Sequence, residues 1–380
     1  MVTTGGPNAS AALVSVIIPT YNRAYCLRAT VDSALQQTHR TLEVHVIDDG
    51  STDSTAEVIA SYGDRRLHYH FQPNQGVAAA RNRGISAARG SHVAFLDSDD
   101  TWAPWKLQAQ LACLSLAPDV GMIWTNMQAV DSADRVVSER YLTQMYDTYR
   151  WFSPGTLFDR SQGLRDAPAR LPEEARTSVL YIGDIFSKMV VGNLVHTSTV
   201  LITRSRLEEV GEFDETFHVA GEDYEFHLRT CLAGPVALLD VASIRYRIGM
   251  PDQLTRRDSN IYFARNYLRA VEKTLANHPD KIDLSNRTLR RAIARGHRKA
   301  ARAYLSNSRP DLARSHFRES LRHDRWQVST SILALIAQLP TPVSGALGRG
   351  LAKVRRQFRS HGRWRSRRRG PGDGANTSRI

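Results

Sequence analysis

The chain has 380 residues, 42% hydrophobic and 23% charged, which is ordinary for a globular protein and long enough for one large domain plus an appendage. Its formal charge of +13 is concentrated: Arg349 to Ile380 carries eleven Lys/Arg against one acid, Asp373, so +10 of the excess belongs to a tail and nucleic-acid binding is not expected of the main domain. Three distant cysteines, Cys26, Cys113 and Cys231, show no CxxC or Cys/His spacing, which excludes a disulfide framework and a thiolate zinc site.

Taken in chain order, the N-terminal dozen residues lack a signal-peptide pattern and read as a flexible lead-in. Val14 to Ile18 is a buried strand closed by Pro19, followed by Leu27, Val31, Ala34 and Leu35 at helical spacing. Val44 to Ile47 is a second strand, and Ser54-Thr55-Ala56-Glu57 has the capping-box form that opens a short helix. Leu67 to Phe71 is an edge-like strand, Gly76 to Ala88 a helix, and Val93 to Leu96 a fourth strand. Such alternation predicts a mostly parallel sheet with helices on both faces, and ligands of such sheets sit at the carboxyl ends of the strands.

Further on, Pro104 to Ala117 reads as a helix, and residues 131–190 as an irregular, aromatic lid or recognition region. Val195 to Thr203 regains strand character, and Gly221 to Ala233 is helical. From about Asp258 the pattern is helical throughout, with Leu289, Ile293, Ala300 and Tyr304 on one face. The expected division is a catalytic domain over 13–255, a helical extension over 256–340 and a basic amphipathic tail over 341–380. In that tail Val343, Leu347, Leu351, Val354 and Phe358 recur on one helical face among arginines, the pattern of a helix lying on an anionic membrane. No apolar run is long enough to span a bilayer, so the expected location is the cytoplasm, at most peripheral at the inner face of the membrane.

Four segments carry chemistry. Asp48-Asp49-Gly50-Ser51 follows a strand; its carboxylates could accept from a base or ribose, or simply cap a turn. Asp97-Ser98-Asp99-Asp100, also at a strand's end, crowds three carboxylates that repel unless a cation intervenes, and oxygen-rich sites of this kind suit Mg²⁺ or Mn²⁺ beside phosphates. In Gly76 to Asn82, small residues permit close approach and Arg81 could reach a diphosphate. Gly221-Glu222-Asp223 starts a helix; the pair could be dipole compensation, or Asp223 a general base toward a hydroxyl.

In this order the strings VSVIIPTYNRA, EVHVIDDGSTDST, NQGVAAARNRGI, VAFLDSDDTWAPWKL and GEFDETFHVAGEDYEFHLR resemble the family-2 glycosyltransferases over about residues 13–250. The resemblance implies a GT-A fold, an inverting mechanism, a nucleotide-sugar donor (UDP above all) and a glycan or lipid-linked acceptor. It implies that Pro19, Tyr21 and Asp49 line a nucleobase pocket with Arg81 nearby. Asp99 would face the ribose and Asp100 a divalent metal, or Asp97 and Asp99 would share those roles. Asp223 would be the base with Glu222 beside it, and Trp102 and Lys106 structural. Relatives often place a metal-ligating His after a late Tyr-Arg; here Tyr246-Arg247-Ile248 lacks it, so the third ligand is missing or comes from elsewhere, with His218 a candidate. Two other classes remain open. A nucleotidyltransferase should carry a Gly-rich phosphate loop, which PTYNRA is not, and a non-catalytic binding module should lack the base, yet Glu222-Asp223 is intact.

Overall fold

The structure is a computed structural model that describes residues 12–167, 171–217, 219–250, 253, 260–340, 343, 346–347 and 350. It comprises two compact units, Met1–Ala292 and Ile293–Ile380. His218 and nearly all of the expected amphipathic tail lie outside the described residues.

The first unit begins with β1 (Val14–Thr20), α1 (Ala24–Leu35), β2 (Leu42–Asp48), α2 (Thr55–Ala60), β3 (Leu67–Phe71), α3 (Val77–Ala87) and β4 (His92–Phe95). These strands lie in the order β3-β2-β1-β4, all parallel. The chain therefore steps outward through α1 and α2, then crosses back through α3. Right-handed crossovers put α1 and α2 on one face and α3 on the other, and the order reverses between β1 and β4. α1 packs on α2, and α3 on β1 and β2. Gly84 makes that last approach possible, since a Cβ there would meet Ile17 Cγ2 at 2.4 Å.

The sheet continues after β5 (Thr101–Trp102), α4 (Lys106–Leu116), β6 (Met122–Val130) and β7 (Val136–Ser138). Residues 131–190 are not irregular. Besides β7 they form α5 (Leu142–Met145), α6 (Pro154–Leu157), β8 (Arg160–Gly163), α7 (Glu173–Arg176), β9 (Val179–Gly183) and α8 (Phe186–Val191). Elements this short leave little periodicity to read in the sequence. The unit goes on through β10 (Leu201–Thr203), α9 (Arg204–Val210), α10 (Glu222–Leu232), β11 (Val236–Arg247) and α11 (Asn260–Asn277). The full path is β3-β2-β1-β4-β10-β6-β11-β9-β8, with only β10 and β9 running against the rest. This is the doubly wound, mostly parallel α/β sheet expected.

Local differences from the sequence reading have physical causes. β1 runs through Pro19 to Thr20 because its pairing with β4 ends at Ile17, so no neighbour needs the N–H that proline lacks. Ser54 makes no side-chain cap; Asp53 does, taking the Thr55 N–H and hydroxyl, and the Ala24 N–H as well. Val195 to Thr203 is a single-turn 3₁₀ segment, Thr197–Thr199, before the short β10.

α12 (Asn286–Ser306) carries the chain into the second unit, followed by α13 (Pro310–His323) and α14 (Val328–Ile336). Its core holds Ala300, Ala301, Leu305, Ala313 and Phe317, with Tyr304 stacked on His316. All three cysteines of the protein are free and buried, and burial pushes the Cys26 thiol up to about 11 and that of Cys113 to about 12. No helix among the described residues is long and apolar enough to cross a membrane.

One buried carboxylate ties the first βα units together. Glu43 on β2 accepts from the Ser15 hydroxyl, the Arg89 N–H and the Arg89 guanidinium. Burial alone would raise its pKa, but these donors outweigh burial and hold it down at about 2. A depressed folded-state pKa contributes stability above the unfolded value and loses it as pH falls. Glu43→Gln should therefore cost on the order of 3 kcal/mol near pH 7. In urea titrations against pH, the gap to wild type should close between about pH 5 and pH 2.

Candidate active site

The loops after β1, β2 and β3 meet at the carboxyl edge of the sheet. Asn22, in left-handed conformation at φ 52°, donates its N–H to the Ser51 hydroxyl and accepts the Thr52 N–H. Asp48 accepts from the Ser51 N–H and the Tyr69 hydroxyl. Asp49 is fully engaged in the same framework: it takes the Gln72 side-chain amide at 2.8 Å and the N–H groups of Gln75 and Gly76 at 2.9 and 2.8 Å. It thus builds the turn into α3. Pro19 is buried at the end of β1, whereas Tyr21 is 48% exposed beside this loop cluster.

The second acidic segment leaves β4 in a turn closed by the Asp100 N–H on the Asp97 carbonyl. Thr30 of α1 donates to the carbonyls of Ser98 and Asp100, and Cys26 to that of Ser98, so the turn is fixed from beneath. Asp97, Asp100 and His196 bring their ligand atoms within 4.8 Å of one another, the one such group among the described residues. Asp99, which the resemblance places at the ribose or at the metal, faces Arg23 at 3.2 Å.

His196 escaped the sequence reading because its segment resembled a strand. The 3₁₀ turn at Thr197–Thr199 takes it out of strand geometry, and its Nε2 lies 3.4 Å from Asp100 Oδ2. Its Nδ1 lies 3.4 Å from the Tyr146 hydroxyl, and its ring packs edge-on against Tyr246. The only available signal was a buried-looking histidine among hydroxyl residues, VHTST. Where the resemblance places a His, after Tyr246-Arg247, the chain has Ile248; one residue earlier the Arg247 N–H donates to Asp100 Oδ1. Trp102 and Lys106 are structural: the indole N–H donates to the Ser198 carbonyl, and the fully buried Lys106 ammonium lies over the Trp102 ring and donates to Gln110.

The third cluster starts α10. Gly221 adopts φ 93°, and a Cβ there would come within 3.0 Å of Asn266 Cβ on α11; the Asn266 amide donates to the Ala220 carbonyl. Helix α11 thereby sets where Glu222 and Asp223 point. Arg81, 4% exposed on α3, joins both acidic clusters, with Nη1 2.7 Å from Glu222 Oε1 and Nη2 2.9 Å from Asp97 Oδ1. It ties these carboxylates together from α3.

The charges are unevenly matched. Burial, then Asp100 and Asp97, push Asp99 up to about 7, and burial raises Asp100 against the pull of His196. Burial would raise Asp97 as well, but Arg81 and His196 hold it low. Burial and the neighbouring Asp223 push Glu222 up to about 7, while Asp223 is itself raised by burial. Crowded, desolvated carboxylates beside an imidazole form a donor set that fits a divalent cation. Asp223 accepts the Tyr224 N–H, while Glu222 is held by Arg81 through Oε1 and has its buried Oε2 without a hydrogen-bond partner among the described residues.

Stretches of the chain are similar to known proteins. Residues 15–160 match the model of glycosyl transferase family 2. An uncharacterised glycosyltransferase of Nostoc sp. (strain PCC 7120) is 38% identical over 129 residues, 33% of this chain and 40% of the relative. A proposed teichuronic acid biosynthesis glycosyltransferase, TuaG, of Bacillus subtilis (strain 168) is 45% identical over 102 residues, 26% of this chain and 40% of that protein. The chain thus spans about two fifths of the length of these two relatives. Among solved structures, S. aureus TarS 1-349 with UDP-GlcNAc superposes with a TM-score of 0.48 at 17% identity, covering 82% of this chain and 89% of that one. The mannosyltransferase PcManGT of Pyrobaculum calidifontis, with GDP-Man and Mn²⁺, gives 0.48 at 18% identity, covering 88% and 83%. Residues 15–160 thus match a glycosyltransferase family 2 domain, and the remainder of the chain lies outside that match.

Removing the shared guanidinium should unbalance both clusters at once. Arg81→Met leaves the buried Glu222 and the half-buried Asp97 without their cation, and breaking a buried pair costs about 3–5 kcal/mol. Thermal unfolding of the variant at neutral pH should show a large drop in Tm. A Tm within a degree or two of wild type would mean that the pairs contribute nothing to the fold.

Proposed function

We propose that the chain transfers a sugar, with inversion, from a nucleotide-diphosphate donor, a UDP-sugar, to a hydroxyl of a glycan or lipid-linked acceptor. The observation that carries this reading is one guanidinium, Arg81, holding the Asp97 turn and the Glu222–Asp223 helix start in a single site. The family 2 domain supports the donor class, and the relative named for teichuronic acid biosynthesis supports the acceptor class.

In this mechanism Pro19, Tyr21 and Asp49 receive the nucleobase and Asp99, held by Arg23, the ribose side. Asp97, Asp100 and His196 would hold a divalent cation, magnesium or manganese, and the imidazole nitrogen favours manganese. When bound, that cation supplies positive charge to the departing diphosphate. Tyr146 orients His196 through Nδ1. Arg81 neutralises Glu222 through Oε1, and Asp223 accepts the proton of the incoming hydroxyl. Burial raises its pKa and makes it a stronger acceptor than a solvated carboxylate. A base placed across the sugar from the leaving group gives a single displacement. The basic segment Arg349 to Arg369 would bring the protein to an anionic membrane surface at the cytoplasmic face, where lipid-linked acceptors would be met.

Asp223→Asn should lower turnover by ~10²–10⁴-fold while nucleotide affinity holds. Turnover is read as free UDP released from UDP-sugars in the presence of acceptor. Turnover within a few-fold of wild type would remove Asp223 from the mechanism. Binding of UDP-sugar without any UDP release would favour a binding module, and pyrophosphate release a nucleotidyltransferase.

Calorimetry tests the cation separately. UDP affinity should rise with Mn²⁺ and fall with EDTA, and His196→Ala should abolish the difference more completely than Asp99→Ala. Equal UDP affinity with and without the ion would overturn the cation assignment.

A further inference from the structure

The second unit presents an apolar stripe to solvent. Along α14 and just past it, Val328 is 78% exposed, Ile332 52%, Leu335 70% and Leu339 40%. Their spacing of four, three and four residues puts them on one helical face. The opposite side is used internally: Thr330 and Ala337 are fully buried, and α14 packs on α13. Trp326, one residue ahead of the N-cap, is 95% exposed.

That exposure is built in. Gln327 is buried and donates to the carbonyls of Ser320 and Asp324, while its oxygen accepts from Arg298 and Thr330. The turn into α14 is therefore fixed, and Trp326 has no inward position to occupy. An indole and four aliphatic side chains held in water are costly unless something covers them.

Charge identifies the cover. No acidic residue lies between Asp324 and Asp373, whereas Arg325 to Arg369 contains eleven Lys/Arg. The polar residues of α14 beside the stripe are Ser329 and Ser331, small and uncharged. An apolar face with an indole at its end, uncharged flanks and a following block of cations matches the interface of a bilayer containing anionic lipid. A second copy of the chain fits less well. A nine-residue helix is about 14 Å long, too short a stripe for the ~800 Å² per partner of a stable interface.

We infer that α14 with Trp326 is a membrane-docking face, inserting its apolar stripe between lipid headgroups while the basic tail engages their charge. This rests on the reading that the protein works at an anionic membrane, and it assigns the apolar contact to a folded helix rather than to the tail.

The test is co-sedimentation of the full chain with phosphatidylcholine vesicles with and without phosphatidylglycerol, at low and high salt. Ile332→Asp with Leu335→Asp, both at exposed positions, should reduce partitioning by at least ~10-fold at either salt concentration. Replacing Arg363, Arg365, Arg367, Arg368 and Arg369 by Gln should remove only the salt-sensitive part. Circular dichroism and UDP release by the Asp variant should match wild type. Wild-type partitioning by the Asp variant would overturn the α14 assignment while leaving the tail's role standing. Loss in the Gln variant alone would assign docking to charge. A wild-type dimer that the Asp substitutions make monomeric, with vesicle binding unchanged, would assign the stripe to a second copy instead.

Discussion

A buried guanidinium between two carboxylates is the constraint on which this site depends. Arg81 comes from α3, Asp97 from the turn after β4 and Glu222 from the start of α10. Two segments close in sequence and a third more than a hundred residues further on converge on one cation, because Arg81 and Glu222 cannot be buried without a partner of opposite charge. α3 must approach β1 closely for Arg81 to reach, and Gly84 against Ile17 permits that approach. The turn must close tightly after β4, and Thr30 and Cys26 hold its carbonyls. The helix start must sit opposite, and Asn266 fixes it. Packing, turn geometry and electrostatics thus serve the same meeting point, as expected of a sequence whose local preferences agree with its fold.

The arrangement also divides labour among acids that composition alone cannot distinguish. Asp49 and Asp48 shape loops, Asp53 caps a helix, and Asp99 meets Arg23. Asp97 and Asp100 join His196, and Glu222 is tied to Arg81. Asp223 accepts the Tyr224 N–H of its own helix and feels the charge of Arg81. Each role follows from which donors the surrounding elements bring within reach.

Much of this was legible in the sequence. Apolar runs followed by acids placed the first four strands and the clusters at their ends, because strand periodicity and turn chemistry are local. The GEDYEF string placed Glu222 and Asp223 at a helix start for the same reason. His196 was not legible, since its place in the site depends on a 3₁₀ turn and on contact with a loop about a hundred residues away. The pairing of Asp99 with Arg23 depends on the direction of a turn, which residue types alone do not set. Residues 131–190 hid their strands because β8 and β9 are short and take their order from pairing with β11, a tertiary rather than a local cause.

The burial of every cysteine has a practical side. A thiol reacts as its thiolate, and Cys26, Cys113 and Cys231 are shielded from solvent with ionisation pushed far above neutral pH. The native protein therefore offers a chemically silent background to maleimides and similar reagents. A single cysteine placed on an exposed position would carry a spin label or fluorophore alone, with no need to strip the natural thiols from the core first.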